Sequence, residues 1–542
     1  SEFTLTRASE FFAGSRNRPQ DAGLMAVSTT GSGANALKLD AIYDLAAAPG
    51  GRGGQVDISA LKLAVTTGAV AGLDRDAVVL DAGKLNALGA DSLFIGGTRS
   101  GSGDTTTLAV GAETLTLAND AAHALKAGEV MLAARDTLTL KSGSAIDAQG
   151  DPGDAGHYET PGNGAFVRAA STTATFARTG SPDGTQGTLI GEPGSLITAA
   201  DSIILDATRE NDYRGTPVFS KNGVPVAGNL AVGAERVNFG GTSADGITYN
   251  QAELNAFSDL KSLTLSSYST FDVYGGIQVG GIADGKPTLQ NLTLQGAGLA
   301  GIDNAGQTAQ INAQNLTLAN PQAAAFTPGG ALGSGALAVT ADTLTLGQGD
   351  KQIQGFGAAD ITANELVGSG TGSLTTSAPV TLNVARIRGE RGADQTFDTQ
   401  GVMNVAQHTA DRVLAPVGAL GAKWALQGTA VDFDSHVELP SGSFKLTATA
   451  PGADVTLKQN ARVDVAGRNV AFFDVSKPSW GGTAEFVSDS GNVNFNAGAE
   501  VDVSAAAGGD AGTLIVSAVN GQFTVADGSV QGQAPGDADG QR

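Results

Sequence analysis

Apolar and polar residues alternate over short stretches along most of the chain. The tripeptide Leu-Thr-Leu carries this pattern six times, at 115–117, 138–140, 263–265, 292–294, 316–318 and 344–346. A period of two is typical of a β-strand with one buried face, and helical spacing is limited to short stretches such as 120–132. The pattern therefore predicts many short strands.

These strands recur at regular intervals. Strand starts at 93, 115 and 138 lie 22 and 23 residues apart, and those at 263, 292, 316, 344 and 366 lie 29, 24, 28 and 22 apart. Three longer segments align without gaps: LTLKSGSAIDA (138–148), VTLKQNARVDV (455–465) and VNFNAGAEVDV (493–503). A fixed period of this length is the signature of a repeat architecture.

The repeat length predicts a solenoid. A strand of three to five residues cannot bury its face alone, but stacking equivalent strands about 4.8 Å apart pairs their backbone groups and creates a continuous core. A unit of 22 to 29 residues suits a three-sided coil with three short strands and three turns. Asn291 and Asn315, each directly before a Leu-Thr-Leu strand, either form an amide ladder in a turn or are exposed turn residues.

Three stretches interrupt the pattern with Pro, Gly and charge, and we interpret them as loop insertions or distorted coils on one rod: 149–186, 206–228 and 386–430. The predicted organisation is therefore as follows: irregular or first coils at 1–50, coils at 51–148, coils with extended loop insertions at 149–230, coils at 231–385, a distorted or inserted region at 386–430, coils at 431–530 and a disordered tail at 531–542.

Composition excludes several classes of function. With 32 basic and 54 acidic residues the net charge is −22, which disfavours nucleic acid and anionic membranes as partners. The absence of cysteine excludes disulfides and thiolate chemistry. No apolar run reaches the length of a transmembrane helix, so membrane insertion is not expected. Both ends look cut, so the chain is interpreted as an internal fragment.

Surface loops on a rigid scaffold are where recognition usually resides. The interrupting stretches therefore make Tyr158, Tyr213 and Arg214 candidate binding residues. The alternative is that they are ordinary loop side chains. Trp424 and Trp480 could contact a carbohydrate or peptide, although a packing role is the better expectation for a lone tryptophan.

Strings such as GEVMLAARDTLTLKSGSAIDAQG, ADSIILDATRE and SGNVNFNAGAEVDVSAAAGGDAGTLIVSA resemble the passenger repeats of filamentous-haemagglutinin-like exoproteins. The resemblance implies a right-handed parallel β-helix, secretion from a Gram-negative bacterium through an outer-membrane two-partner secretion transporter, and a place outside the cell or on its surface. The family's Asn-Pro-Asn type secretion motif is missing here; the only Asn-Pro pair is Asn320-Pro321.

The sequence indicates no catalytic residue, metal site or cofactor. The four histidines are scattered and lack the i, i+4 spacing of zinc proteases, and the nine-residue calcium-coil motif is missing. Parallel β-helix enzymes use paired carboxylates, and Asp74 with Asp76, or Asp432 with Asp434, would share a face if strand-like. Pairs at i, i+2 are expected by chance among 54 acidic residues.

The sequence therefore predicts a non-enzymatic structural or adhesive rod whose loops contact a host, bacterial or matrix ligand. A polysaccharide-active lyase or hydrolase, a glycan-binding module and a plain spacer remain alternatives, since fold alone does not determine function.

Overall fold

The computed structural model describes residues 21–48, 51–102, 104–153, 156–180, 182–243, 245–472, 475–527 and 529–536. Strands dominate these residues and most of them pair in parallel, so the predicted all-β fold is confirmed at this level. The chain divides into two compact units, Ser1–Ala231 and Val232–Arg542.

The strands of the first unit are short and follow one another closely. They are β1 (Leu24–Thr29), β2 (Gln55–Ala60), β3 (Lys62–Thr66), β4 (Val78–Asp81), β5 (Ser92–Ile95), β6 (Gly97–Ser102), β7 (Thr105–Val110), β8 (Thr114–Ala118), β9 (Leu125–Ala127), β10 (Glu129–Ala134), β11 (Thr137–Leu140), β12 (Ala145–Ala148), β13 (His157–Pro161), β14 (Ala165–Ala170), β15 (Thr175–Thr179), β16 (Thr188–Gly191), β17 (Leu196–Ala199), β18 (Ser202–Ala207), β19 (Glu210–Tyr213), β20 (Thr216–Lys221) and β21 (Val224–Pro225). The next strand, β22 (Asn229–Ala234), contains the boundary between the units.

Successive strands of the first unit join different sheets. The order β1-β2-β5-β10-β14-β18 forms one sheet, parallel as far as β10 and antiparallel on both sides of β14. A second sheet has the order β19-β16-β11-β8-β3-β4, and a third has the order β21-β20-β17-β12-β9. Thus β10, β11 and β12 follow one another in the chain but contribute one strand to each sheet.

A fourth sheet, in the order β15-β13-β7-β6, covers the outer face of the first sheet. An apolar cluster joins the two layers and includes Phe94, Leu108, Met131, Tyr158 and Phe166. As a result, β10, β14 and β18 are buried at every position, on both faces. This outer layer therefore shares an apolar core with the first sheet.

The strands of the second unit are β23 (Val237–Phe239), β24 (Ile247–Tyr249), β25 (Ser262–Ser267), β26 (Phe271–Tyr274), β27 (Gln278–Val279), β28 (Ile282–Ala283), β29 (Lys286–Pro287), β30 (Asn291–Gln295), β31 (Gly298–Ile302), β32 (Thr308–Ala319), β33 (Gly335–Leu346), β34 (Gly349–Gln354), β35 (Phe356–Gly368), β36 (Thr371–Thr376), β37 (Val380–Gly389), β38 (Asp394–Thr399), β39 (Met403–Gln407), β40 (Lys423–Gly428), β41 (Val431–Phe433), β42 (His436–Glu438), β43 (Ser443–Ala448), β44 (Val455–Leu457), β45 (Arg462–Asp464), β46 (Asn469–Phe472), β47 (Val475–Pro478), β48 (Thr483–Ser488), β49 (Val493–Phe495), β50 (Glu500–Asp502), β51 (Thr513–Ala518), β52 (Phe523–Val525) and β53 (Ser529–Gln531).

Parallel pairing also dominates the second unit. One sheet has the order β24-β23-β26-β31-β34-β36-β38-β40-β43-β48-β51. A second set of strands pairs in parallel in the order β25-β30-β32-β33-β35-β37. The first half of β37 then pairs with β39 and its second half with β42. Two antiparallel hairpins, β28–β29 and β46–β47, depart from this pattern.

The predicted Leu-Thr-Leu strands stack in register. Leu292 pairs with Leu263 on one side and with Leu316 on the other, and Leu344 pairs with Leu316 and Leu366. All five leucines are at most 1% exposed, so they form one continuous apolar row. The gapless alignment of 455–465 with 493–503 is also confirmed, because Val455 pairs with Val493 and Val463 with Val501.

Helices are short and capped by side chains. The Asp81 carboxylate accepts a hydrogen bond from the Lys84 amide at the start of α1 (Ala82–Ala87). Asn250 and Glu253 form a capping box at the start of α2 (Gln251–Ala256). Two single 3₁₀ turns complete the described helical structure, at Ala121–His123 and Phe257–Asp259.

The stretches predicted as insertions contain regular strands. Residues 149–186 include β13, β14 and β15, and residues 206–228 include β19, β20 and β21. The region 386–430 holds β38, β39 and β40 in register with their neighbours, and only 408–422 forms a long strand-free loop. Of the predicted N-terminal region, 1–20 and 49–50 lie outside the described residues, as do 537–542 of the predicted tail.

Asn291 and Asn315 lie in neighbouring strands rather than in a turn. They are register partners in β30 and β32, and Asn315 Nδ2 donates to Asn291 Oδ1 over 3.0 Å. Asn291 Nδ2 in turn donates to the Lys261 carbonyl. The amide contact predicted from the sequence is therefore present, but on the outer face of the strands, where Asn315 is exposed.

Candidate functional site

The strongest concentration of buried charge lies between the two layers of the first unit. Glu129 in β10 and Arg168 in β14 face the outer layer, and Arg168 Nε donates to Glu129 Oε1 over 2.6 Å. Arg168 also donates to the Thr172 carbonyl and to Ser202 Oγ. Both charged side chains are almost completely buried, so each depends on the other for compensation.

Tyr158 completes the hydrogen bonding of Glu129. Its hydroxyl donates to both Glu129 oxygens, at 2.9 and 3.0 Å, and Ser92 Oγ donates to Oε2 at 2.6 Å. The Arg168 guanidinium lies 5.5 Å from the centre of the Tyr158 ring. Burial alone would raise the pKa of Glu129, but the charges of Arg168 and Arg99 and the Ser92 hydrogen bond lower it overall.

The prediction that Tyr158 is an exposed loop residue is wrong. It lies in β13, is 8% exposed and belongs to the apolar cluster between the layers. Burial and the neighbouring Glu129 charge raise the pKa of its hydroxyl above its usual range. A tyrosine in a polar, glycine-rich stretch is thus a core residue here, because the stretch folds back as a strand over the first sheet.

A second buried pair joins β2 to the β6–β7 hairpin. Arg99 Nε donates to Asp57 Oδ1 and the Arg99 amide donates to Oδ2, both over 2.7 Å. Arg99 Nη1 donates to Ser92 Oγ over 2.8 Å, which links this pair to Glu129. Burial raises the pKa of Asp57 even though Arg99 opposes the shift. Arg99 Nη2 is buried and has no hydrogen-bond partner among the described residues.

A third pair repeats the arrangement at the other end of the outer layer. Arg178 in β15 donates from Nε to Asp206 Oδ2 in β18 over 2.7 Å, and it also donates to the carbonyls of Gly162 and Gly164. In each pair the carboxylate lies on a strand of the first sheet. Arg99 and Arg178 lie on strands that cover this sheet, whereas Arg168 lies on β14, a neighbouring strand of the same sheet.

A polar cavity of 360 Å³ lies beside the first two pairs. Its lining combines the charged side chains of Arg52, Arg99, Asp104 and Glu129 with hydroxyl groups. The other lining residues are Leu24, Gln55, Ser100, Gly101, Thr105, Thr106, Pro152, Gly156, Tyr158 and Thr172. The cavity, which is open to solvent, thus presents positively charged donors, acidic acceptors and hydroxyls side by side.

The second unit holds a different ionic cluster. Glu365 in β35 receives hydrogen bonds from Arg386, Arg388 and Arg412, at 2.5, 2.8 and 3.0 Å. Burial opposes its ionisation, but the three guanidinium groups lower the pKa of Glu365 overall. Arg412 belongs to the 408–422 loop, so this cluster attaches the loop to the strands.

Further contacts hold the same loop. Arg412 Nε lies 3.1 Å from both Asp342 oxygens, and Asp411 binds Asn364 Nδ2 and Lys286 Nζ, at 2.6 and 3.0 Å. A groove of 410 Å³ lies between this loop and the β28–β29 hairpin and is lined in part by Lys286, Asp342 and His408. Arg386, Arg388 and Arg412 of the 386–430 stretch are therefore ion-pair partners of a carboxylate on a neighbouring strand.

The remaining sequence candidates are dispersed. Tyr213 ends β19, and burial raises the pKa of its hydroxyl. Arg214 is exposed and pairs with Asp212 over 2.6 Å. Trp424 is buried in β40 and donates to the Arg388 carbonyl, whereas Trp480 is 66% exposed. Tyr158, Tyr213 and Arg214 are not brought together into one site by any contact among the described residues.

The two carboxylate pairs considered for catalysis are engaged in local contacts. Asp74 lies outside a strand and pairs with Lys62 over 2.7 Å. Asp432 pairs with Lys458 over 2.8 Å, and Asp434 accepts from the Asn460 amide. Within the described residues no group of three or more histidine, aspartate or glutamate side chains is placed to hold a metal ion.

Sequence reasoning missed Asp57, Arg99, Glu129 and Arg168. For Glu129 and Arg168 the available signal is the content of EVMLAA (129–134) and AFVRAA (165–170), where apolar residues occupy both alternating sets of positions, as they also do in SIILDA (202–207). Such runs are typical of strands buried on both faces. A single charge within such a run indicates a buried ion pair, because an unpaired charge there would be strongly destabilising.

No protein-family model matches the chain. No curated protein matches it, and no solved structure matches it. No helix among the described residues is long and apolar enough to cross a membrane.

Proposed function

We propose that the chain is a structural or adhesive segment of an exported bacterial surface protein of the filamentous-haemagglutinin type, and that each of its units is a right-handed, three-sided parallel β-helix. The observation that carries the proposal is the row of register partners Leu263, Leu292, Leu316, Leu344 and Leu366. Equivalent residues of successive repeats lie beside one another, as stacked coils require.

Strand order supports closed coils. The consecutive strands β10, β11 and β12 each join a different sheet, and β18, β19 and β20 do the same two layers further, beyond β14, β16 and β17. The parallel partners in both units come from successive repeats rather than from adjacent hairpin arms. A chain that visits three sheets in turn and then returns to the first one traces one coil of a solenoid.

The proposed coil is testable with spin labels, because the chain has no cysteine of its own. Asn404, Asp432 and Thr456 are outward register partners in β39, β41 and β44. Ala425, Lys445 and Glu485 are the corresponding partners in β40, β43 and β48. Cysteine pairs at 404/425, 432/445 and 456/485 therefore place one label on each of two sheets in three successive repeats.

Stacked coils predict nearly equal distances for the three labelled pairs in double electron–electron resonance. A distance that changes by more than about 5 Å, the spacing of neighbouring strands, from one pair to the next would contradict the β-helix. Labels at 404/456 provide the matched control. These two residues are two strand spacings apart whether or not the strands belong to a β-helix, so their backbones are expected to be about 10 Å apart.

The role at the cell surface needs a separate experiment. Antibodies against the chain should label intact cells of the producing bacterium, and deletion of the outer-membrane two-partner secretion transporter should abolish that labelling. Labelling that persists without any such transporter would contradict this export route. Beads coated with the purified chain should then adhere to host, bacterial or matrix surfaces if the segment is adhesive, whereas a spacer would leave them free.

The polysaccharide-active alternative is separated by turnover. Purified protein incubated with pectins, glucans and glycosaminoglycans should leave chain length and reducing ends unchanged. Cleavage that disappears on substitution of one carboxylate, such as Asp432→Asn, would replace the structural proposal with an enzymatic one.

A further inference from the structure

The cavity beside Arg99 has the chemistry of a binding site. Its volume of 360 Å³ lies within the range of about 300–1,000 Å³ typical of small-molecule sites. Several elements border it, because its lining includes residues of β2, the β6–β7 hairpin, β10 and β13. We propose that this cavity binds an acidic saccharide residue, with the carboxylate of the ligand held by Arg99 and Arg52.

The Arg99 guanidinium is held by neighbouring side chains, and one of its three nitrogen atoms makes no hydrogen bond among the described residues. Asp57 holds its Nε and Ser92 occupies its Nη1, so the guanidinium plane is set by the protein. Only Nη2 lacks a partner among the described residues, although Arg99 is 9% exposed. A buried donor without a partner is costly and uncommon in native structures. Nη2 is withdrawn from solvent in this structure, so binding requires the Arg99 side chain to move until this group faces the ligand carboxylate.

Arg52 supplies a second positive charge at the same cavity. It forms no ion pair among the described residues, and its backbone amide is anchored to Asp21. Its aliphatic stem lies against Gly153, where an added Cβ would come within 2.8 Å of Arg52 Cγ. Gly153 has a φ of +88°, so the backbone there suits glycine in both conformation and space. Two guanidinium groups on one cavity favour a carboxylate, which accepts paired hydrogen bonds from arginine.

The rest of the lining suits the hydroxyls of a sugar. Thr105, Thr106 and Thr172 provide groups that both donate and accept, and the Asp104 carboxylate accepts. Glu129 does not add an unpaired negative charge, because Arg168 compensates it and three donors occupy its oxygens. For the same reason Glu129 is unsuited to proton transfer, so the cavity is proposed as a binding site without catalysis.

The inference depends only on the first unit and not on the proposed role at the cell surface. Titration of the full chain with sodium glucuronate at about 0.15 M salt, followed by calorimetry or saturation-transfer NMR, provides the test. We expect one saturable site with a dissociation constant of about 1 mM, and binding of glucose about tenfold weaker because it lacks the carboxylate. Equal binding of the two sugars would overturn the carboxylate assignment.

Two variants locate the site. Arg52→Gln removes one guanidinium at an exposed position and should weaken glucuronate binding about tenfold, whereas Arg75→Gln, the same change at an exposed arginine outside the cavity, should leave it unchanged. Arg99→Lys retains a positive partner for Asp57 but removes Nη2, so it should also abolish most binding. If Arg99→Lys sharply lowers the urea concentration at the midpoint of unfolding, the location of the binding site is decided by Arg52→Gln alone. Absence of saturable glucuronate binding, or binding that Arg52→Gln leaves unchanged, would overturn the proposal.

Discussion

Arg168 Nε lies 2.6 Å from Glu129 Oε1 between two layers of strands, where both side chains are withdrawn from water. Tyr158 of the outer layer donates to the same carboxylate, so the pair connects the first sheet with its cover. The apolar cluster around Met131 and Phe166 supplies the contact area between the two layers. Similar buried pairs occur at Asp57–Arg99 and Asp206–Arg178, so charge and packing act together along this interface.

Removal of one partner of the Glu129–Arg168 pair should be strongly destabilising. We expect Arg168→Met to lower local stability by about 3–5 kcal/mol, because it leaves a buried carboxylate without its main compensation. Hydrogen exchange of the peptide covering 129–134 measures the effect. The double variant Glu129→Gln/Arg168→Met should recover part of the loss.

The exposed pair Lys141–Glu192 is the matched control for this prediction. Lys141→Met should change local stability by less than about 1 kcal/mol, because solvent screens the interaction and both side chains are mobile. Equal losses for Arg168→Met and Lys141→Met would show that the buried pair has no special role.

The stacked leucines should respond to truncation as core residues. Leu316→Ala removes a side chain held between Leu292 and Leu344 and should cost about 2–5 kcal/mol. Thr317→Ala, on the opposite face of the same strand, should cost less than about 1 kcal/mol. Urea unfolding followed by far-UV circular dichroism compares the two. A larger effect of Thr317→Ala would mean that the apolar row is not the stabilising core.

Lys351 should make stability depend on pH in the alkaline range. It is 2% exposed, donates to the carbonyls of Gly347 and Gly349, and burial lowers its pKa to about 8. In the unfolded chain a lysine titrates at about 10.4. Between these values the unfolded state binds more protons, so stability rises with pH, by up to about 1.4 kcal/mol per pH unit.

The Lys351→Met variant isolates this contribution. Urea unfolding of both proteins between pH 7.5 and 9.5 should show wild-type stability rising relative to the variant as pH increases. The difference removes the effect of other groups that titrate in this range. A difference that is constant with pH, or that falls as pH rises, would contradict a lowered pKa for Lys351.

The 408–422 loop should be released when its anchors are weakened. Asp342→Asn removes the charge that binds Arg412 while it keeps the side-chain shape. We expect trypsin to cleave after Arg412 about three to ten times faster in this variant, because local opening limits access to the bond. Glu390→Asn serves as the control, since Glu390 is exposed and bonds Ser369 rather than the loop. Equal cleavage rates in both variants would show that Asp342 does not hold the loop.

Local alternation in the sequence determined many of the strands, and the repeat spacing determined several of their partners. The strands around Leu115, Leu292 and Leu344 were predictable because a period of two marks one buried face, and the repeated spacing indicated which strands would become neighbours. The amide contact between Asn291 and Asn315 was predictable for the same reason, since equal positions in successive repeats lie side by side.

Only the tertiary structure decided what lies over the outer face of the strands. Tyr158 occurs in a glycine- and proline-rich stretch, and its local sequence gives no sign that β13 packs back onto β10. The pairing of Glu129 with Arg168 joins residues from different repeats, and any of 54 acidic and 32 basic side chains could have paired on charge alone. Periodicity records which face of a strand is buried, but the partner of a charged side chain depends on how distant segments pack, and that information is not local.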